Sequence, residues 1–179
     1  MLIKNYGLYW RADDVFWGKP GKHNDGTLDG RPARLKTGEV TNFRDQAGVY
    51  VLYDRLRPVY VGEAGVGDQG LFQRLRHHYR NELKGRWDTF SWFGIYAVNP
   101  KSRELRANVK IAPEIGDVLN HIEAILIAAM EPPLNLQRGR FGKAERFIQA
   151  RHKSLALPTS EMIAEIYSAI RKAKPKRSK

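Results

Sequence analysis

Two short apolar segments decide how this chain folds: Gly48-Val49-Tyr50-Val51-Leu52-Tyr53 and Pro58-Val59-Tyr60-Val61-Gly62. Both are rich in β-branched and aromatic residues, which favour β-strands. Only residues 54–57 separate them, so the pair predicts an antiparallel hairpin. Tyr50 and Tyr60 then lie on neighbouring strands, each two positions from a glycine.

A first helix is predicted downstream of the hairpin, over about residues 70–83. Its apolar residues repeat every four positions and form a buried stripe: Leu71, Leu75, Tyr79 and Leu83. Arg74 and His78 are also four positions apart, so they share a face beside that stripe. Arg76 and Arg80 share a second, polar face.

A second helix is predicted over about residues 116–130, and Pro132-Pro133 ends it. Residues 122–130 are apolar nearly all round, which predicts a centrally buried helix. Glu123 lies inside this run. A buried carboxylate without a partner costs several kcal/mol or shifts its pKa strongly. Its partner is therefore either a divalent cation or an arginine such as Arg74.

The remaining segments are less regular. A third strand is predicted over residues 90–98, followed by a loop or a loosely paired strand over 99–114. Residues 1–45 are aromatic and rich in turn signals, which predicts short strands whose tryptophans serve packing more than substrate contact. An amphipathic helix is predicted over residues 159–173, before a basic terminus.

The composition restricts the chemistry. Hydrophobic residues make up 42% and charged residues 28% of the 179, as in ordinary globular domains. There are no cysteines, which excludes disulfides, thiolate zinc sites and a cysteine nucleophile. A bound metal would be held by carboxylate, histidine or water, which favours Mg²⁺ or Mn²⁺. No apolar run could span a bilayer and no secretory signal is evident, so we expect a cytoplasmic protein without a membrane partner.

The net charge of +12 indicates a polyanionic partner. Residues 171–179 hold six basic and no acidic residues, which leaves 12 − 6 = +6 on the rest of the chain. The terminal charge alone is explained equally well as a solubilising tail. Because the rest of the chain is basic too, we expect nucleic-acid contacts from Arg76, Arg80, Arg138, Arg140 and Lys143.

Taken together, these residues resemble the GIY-YIG nuclease family. The resemblance rests on an ordered set: Gly48-Val49-Tyr50, Tyr60-Val61-Gly62, Arg74, His78, Glu123 and Asn135. It covers roughly residues 46–136, about half of the chain. It implies an α/β (α+β) fold with a small, mainly antiparallel three-stranded sheet flanked by helices. Residues 1–45 would be an N-terminal extension, 137–173 a basic helical segment and 174–179 a disordered tail.

The resemblance also implies a function, a metal-dependent endonuclease that hydrolyses DNA phosphodiester bonds. Glu123 would bind one Mg²⁺ or Mn²⁺, and Arg74 would stabilise charge in the transition state. Tyr50 or Tyr60 would help to deprotonate water, and His78 would orient water or shuttle a proton. Asn135 would tie its loop to the cleft or touch the phosphate.

Each of these residues also has a structural interpretation. Strand tyrosines often serve packing alone, His77-His78 could be a surface pair, and Asn135 could cap a turn. Glu63 departs from the excision-repair members, which carry a lysine there. At the level of function, the alternatives are a non-catalytic nucleic-acid-binding module and a subunit of a larger DNA-processing or defence complex. The DNA would be double-stranded or branched, and a restriction-type role would favour a homodimer.

Overall fold

The computed structural model describes residues 2–19, 25–34, 39–65, 69–106, 115–131 and 138–152, together with residues 155, 163 and 167. The elements in chain order are β1 (Asn5–Arg11), a 3-10 turn (Ala12–Asp14), β2 (Asp29–Pro32), β3 (Thr41–Asn42), β4 (Gly48–Asp54), β5 (Arg57–Ala64), α1 (Leu71–His78), β6 (Thr89–Gly94), β7 (Ala97–Val98), β8 (Leu105–Arg106), α2 (Ile115–Met130) and β9 (Glu145–Gln149).

Seven of the strands form one sheet in the order β3-β2-β9-β1-β6-β4-β5, and β7 pairs with β8 in a separate ribbon. All neighbours in the large sheet are antiparallel except β1 and β9. The predicted hairpin is present as β4–β5, with Tyr50 opposite Gly62. Its two-residue turn places Arg55 and Leu56 at φ of 48° and 67°, the left-handed conformation that such a turn requires.

The sheet buries an apolar core on each face, because successive strand residues point to opposite sides. Tyr50 and Leu52 join one core with Trp10, Phe43, Phe72 and Leu75, which places α1 on that face. Val51 and Tyr53 join the other core with Ile3, Phe93, Phe141, Ala124 and Ala129, which places α2 on the opposite face. Helices α1 and α2 therefore lie on opposite sides of the sheet.

The α+β class and the mainly antiparallel pairing are confirmed, but the sheet has seven strands where three were expected. Strand β1, from the predicted N-terminal extension, pairs with β6. Within the predicted basic helical segment, residues 145–149 form a strand instead of a helix. This prediction was wrong because the pairing partners of β9 are far away in sequence and leave no local periodic signal.

The helices match their predicted positions with two differences. Helix α1 ends at His78, and turns follow it up to about residue 85. Helix α2 has nearly the predicted bounds, but Ile122, Leu126 and Met130 are about half exposed, so it is not buried all round. Neither α1 nor α2 has the length and apolarity needed to cross a membrane. Of the predicted helix over 159–173, only residues 163 and 167 are described; both are helical and exposed.

Candidate active site

Three neighbouring elements bring four of the predicted site residues together. Tyr50 comes from the middle of β4, Tyr60 from the adjacent β5, and Arg74 and His78 from α1, which packs on the same face. Gly62 makes room for this arrangement, since a Cβ atom there would collide with the Tyr50 phenol. The glycine of the second motif is therefore required sterically by the tyrosine of the first.

A buried hydrogen bond between Tyr50 Oη and His78 Nε2, 2.8 Å long, is the centre of the site. Tyr50 is fully buried and His78 nearly so. Asn81 Oδ1 accepts from the Leu83 N–H, so its amide nitrogen faces His78 Nδ1 at 3.4 Å. An amide nitrogen can only donate. The neutral imidazole therefore carries its proton on Nε2 and donates it to the Tyr50 oxygen.

Tyr60 closes one side of this pair. Its ring centroid lies 4.6 Å from that of His78 and 6.2 Å from that of Tyr50, and its side chain is only partly buried. Both motif tyrosines thus flank the same imidazole. Tyr50 is inside the core, and Tyr60 lies between the core and solvent.

Arg74 is held beside the tyrosines by the backbone of β5. Its Nε donates to the Glu63 carbonyl oxygen at 3.0 Å, and one terminal nitrogen lies 3.5 Å from Gln69 Oε1. No carboxylate in the described residues forms an ion pair with it. Glu63 contacts Arg74 through its backbone carbonyl, while the residue itself is exposed.

Burial has the largest effect on the pKa values of Tyr50 and His78. It raises the pKa of Tyr50 to about 12; nearby Tyr60 adds to the rise, whereas the Arg74 guanidinium opposes it. Burial also lowers the pKa of His78, as do the neighbouring His77 and Arg74, against a smaller opposing effect of Glu82. At neutral pH both partners are therefore uncharged: a phenol and an imidazole.

The structure does not bring Glu123 to these residues. The prediction of a buried carboxylate was wrong, because Glu123 is exposed on α2. Helix α2 approaches the sheet through the small residues Ala124 and Ala129, and it packs on the Val51 face rather than the Tyr50 face. No ion pair joins Glu123 to Arg74 within the described chain.

The described residues do not define a metal site. Among the described residues, no three histidine, aspartate or glutamate side chains are grouped so that they could hold a metal ion. Asn135, the last residue of the predicted set, lies outside the described residues.

The predicted nucleic-acid residues fall on two sides of the sheet. Arg76 and Arg80 line a groove along α1, together with Arg74. Arg138 and Arg140 are exposed on the segment that packs against α2, where a Cβ at Gly139 would strike the Ala124 carbonyl. Lys143 lines a separate shallow depression with Arg34 and Arg146.

Two residues of the site escaped the sequence analysis, Gln69 and Asn81. Asn81 follows His78 by three positions, a spacing that brings side chains together on a helix, so this signal was available. Gln69 gave no signal, since its contact with Arg74 depends on how the loop enters α1.

No family model, curated protein or solved structure matches this chain, so its function must be argued from the residues of the site.

Proposed function

We propose that this protein is an endonuclease of the GIY-YIG type that hydrolyses DNA phosphodiester bonds with Mg²⁺ or Mn²⁺. The observation that supports this most directly is the buried Tyr50–His78 hydrogen bond, with Tyr60 and Arg74 beside it. A packing role alone would not require a buried phenol, a neutral imidazole and an arginine that forms no ion pair with a described carboxylate at one place.

Each group has a chemical task in this proposal. The Tyr50 oxygen accepts a hydrogen bond from His78 and is close to the Arg74 cation, and both interactions stabilise the phenolate. Because the Tyr50 oxygen is buried, it takes the proton of the attacking water through the hydroxyl of the partly exposed Tyr60, which is hydrogen-bonded to it, as the new P–O bond forms and the P–O bond to the leaving oxygen breaks. The Arg74 guanidinium offers a planar fork of donors to the non-bridging oxygens, where charge develops.

Tyr60 has a separate task. Because it is partly exposed beside the same imidazole, it is placed to orient the attacking water or the phosphate. Tyr50, fully buried, holds the basic oxygen. This assignment makes Tyr50 the base, where the motif alone left the choice between the two tyrosines open.

The metal belongs to the proposal on the strength of the resemblance, which implies Glu123 as its ligand. When bound, the ion would stabilise the leaving oxygen. The exposed position of Glu123 on the opposite face of the sheet does not fit a shared site with Tyr50. We therefore derive no step through the metal.

A second candidate function follows from the distance between Glu123 and the Tyr50 side of the sheet. If Glu123 has no part in the site, the basic body of the chain and the α1 groove fit a nucleic-acid-binding module without catalysis. Such a module would bind DNA with a steep salt dependence and would leave it intact.

The deciding experiment measures cleavage of supercoiled plasmid, a branched duplex and single-stranded DNA with Mg²⁺, with Mn²⁺ and with EDTA. Wild type, Tyr50→Phe, Arg74→Gln and Glu123→Gln are compared, with Arg57→Gln as a surface control. The nuclease proposal expects metal-dependent nicking that Tyr50→Phe and Arg74→Gln reduce by about 10²–10⁴-fold. Intact DNA with all three substrates, despite tight binding, would establish the binding module.

A further inference from the structure

The exposed side of α1 forms a groove of which the catalytic proposal uses only Arg74. It has a volume of about 570 Å³ and is lined by Gln69, Gln73, Arg74, Arg76, His77 and Arg80. Three of these side chains are arginines, two are amides, and none is acidic. A concave surface of this kind suits a row of phosphates, which the arginines neutralise and the amides contact by hydrogen bonds.

Arg76 is held in a way that leaves its charge available. Its guanidinium lies over the Phe72 ring, 5.9 Å from the ring centroid, and Arg44 lies over the same ring at 5.5 Å. The Nε of Arg76 is buried and has no hydrogen-bond partner among the described residues. Stacking on an aromatic ring fixes a guanidinium without an acidic neighbour. The terminal nitrogens can therefore bind an external anion.

The groove is continuous with the active site because Arg74 belongs to both. Arg74 contacts the β5 backbone beside Tyr60 and also lines the groove. From Arg74, the lining continues along α1 to Arg76 and Arg80. A strand whose scissile phosphate lies at Arg74 would thus place its neighbouring phosphates against Arg76 and Arg80.

We infer that this groove binds the sugar–phosphate backbone of the DNA strand next to the cleavage position. The inference rests on the proposed function for its choice of DNA, but it concerns binding and is tested without cleavage. It also gives the predicted nucleic-acid-binding residues different roles. Arg76 and Arg80 position the strand to be cut, whereas Arg138 and Arg140 lie on the other side of the sheet.

The test uses fluorescence anisotropy of a labelled 25-base-pair duplex in EDTA, titrated at several salt concentrations. Arg76→Gln/Arg80→Gln is compared with Arg55→Gln/Arg57→Gln, which removes the same charge from two exposed residues at the far end of the hairpin. Each lost phosphate contact reduces the slope of log K against log salt by about 0.9, so the groove variant should lose about 1.8 and the control almost nothing.

Three results would overturn the inference: equal slope changes in both variants, an unchanged slope in the groove variant, or a loss seen only with an RNA duplex of the same sequence. Near-ultraviolet circular dichroism establishes that both variants are folded. The two proposals fail separately. Binding through the groove without any cleavage overturns the nuclease but not the groove. Cleavage with an unchanged slope overturns the groove but not the nuclease.

Discussion

Removing the Tyr50 hydroxyl tests the centre of the site most directly. Tyr50→Phe keeps the ring but leaves His78 Nε2–H buried without its acceptor. An unsatisfied buried donor costs about 1–3 kcal/mol. For a chain of this size, that loss lowers Tm by roughly 2–12 °C. Cleavage should fall by about 10²–10⁴-fold, because the base is gone.

Changing His78 as well as Tyr50 separates the effect on stability from the effect on catalysis. His78→Leu alone removes one hydrogen-bond partner of the Tyr50 hydroxyl, which keeps its interactions with Tyr60 and Arg74, so it should cost no more than Tyr50→Phe. In Tyr50→Phe/His78→Leu both polar groups are absent, so most of the lost stability should return, since replacing both partners by apolar groups is nearly neutral. Activity should stay as low as in Tyr50→Phe.

The assays are thermal unfolding and plasmid nicking on the same four proteins. Additive losses of stability in the double variant would refute the hydrogen bond as drawn. Wild-type nicking by a folded Tyr50→Phe protein would refute the nuclease mechanism.

Four further outcomes are expected. Nicking should rise about tenfold per pH unit from pH 7 to 9, because the raised pKa of Tyr50, about 12, keeps the phenolate scarce throughout this range; a plateau below pH 8 would contradict Tyr50 as the base. Glu123→Gln should change the free energy of unfolding by less than about 0.5 kcal/mol, as for other exposed positions. A large drop in Tm would show that the carboxylate is buried. If Glu123 holds the metal, nicking by this variant should still fall by orders of magnitude. Gly62→Ala should lower stability by about 1–3 kcal/mol through its collision with the Tyr50 ring, measured by urea unfolding with the exposed Val61→Ala as control. Replacing Arg55-Leu56 by Asn-Gly should raise stability by about 1–2 kcal/mol, since both positions have positive φ; no gain in the same urea assay would mean that the turn is not strained.

The hairpin and α1 could be predicted because their signals are local. Alternation and turn length define β4–β5, and the four-residue repeat defines the buried side of α1 with Leu71 and Leu75. The contact of Tyr50 with His78 could not be predicted from local signals, because neither segment indicates which face of β4 is covered by α1. The resemblance implied that these residues share a catalytic site, but it did not imply this hydrogen bond.

Helix α2 shows where sequence patterns fail. Its bounds were predicted, but its orientation was not, because residues 122–130 are apolar on several sides. The structure turns Ala124 and Ala129 to the sheet, where small side chains allow close approach, and leaves Ile122 and Leu126 half exposed. Hydrophobicity alone predicts the reverse choice. The same nonlocal packing explains why β9 could not be found from its own residues.

The place of β9 between β1 and β2 also has a consequence for the order of folding. Asn5 pairs with Glu145, 140 positions later, and Trp10 and Phe43 share one core with Phe147. At about 5–20 residues per second, the ribosome synthesises the partner of β1 roughly 7–28 s after β1 itself. The hairpin, α1 and the β1–β6 pair can assemble during this interval, whereas the edges of β1 and β2 that pair with β9 must wait. We therefore expect the centre of the sheet to close last, once β9 has been synthesised.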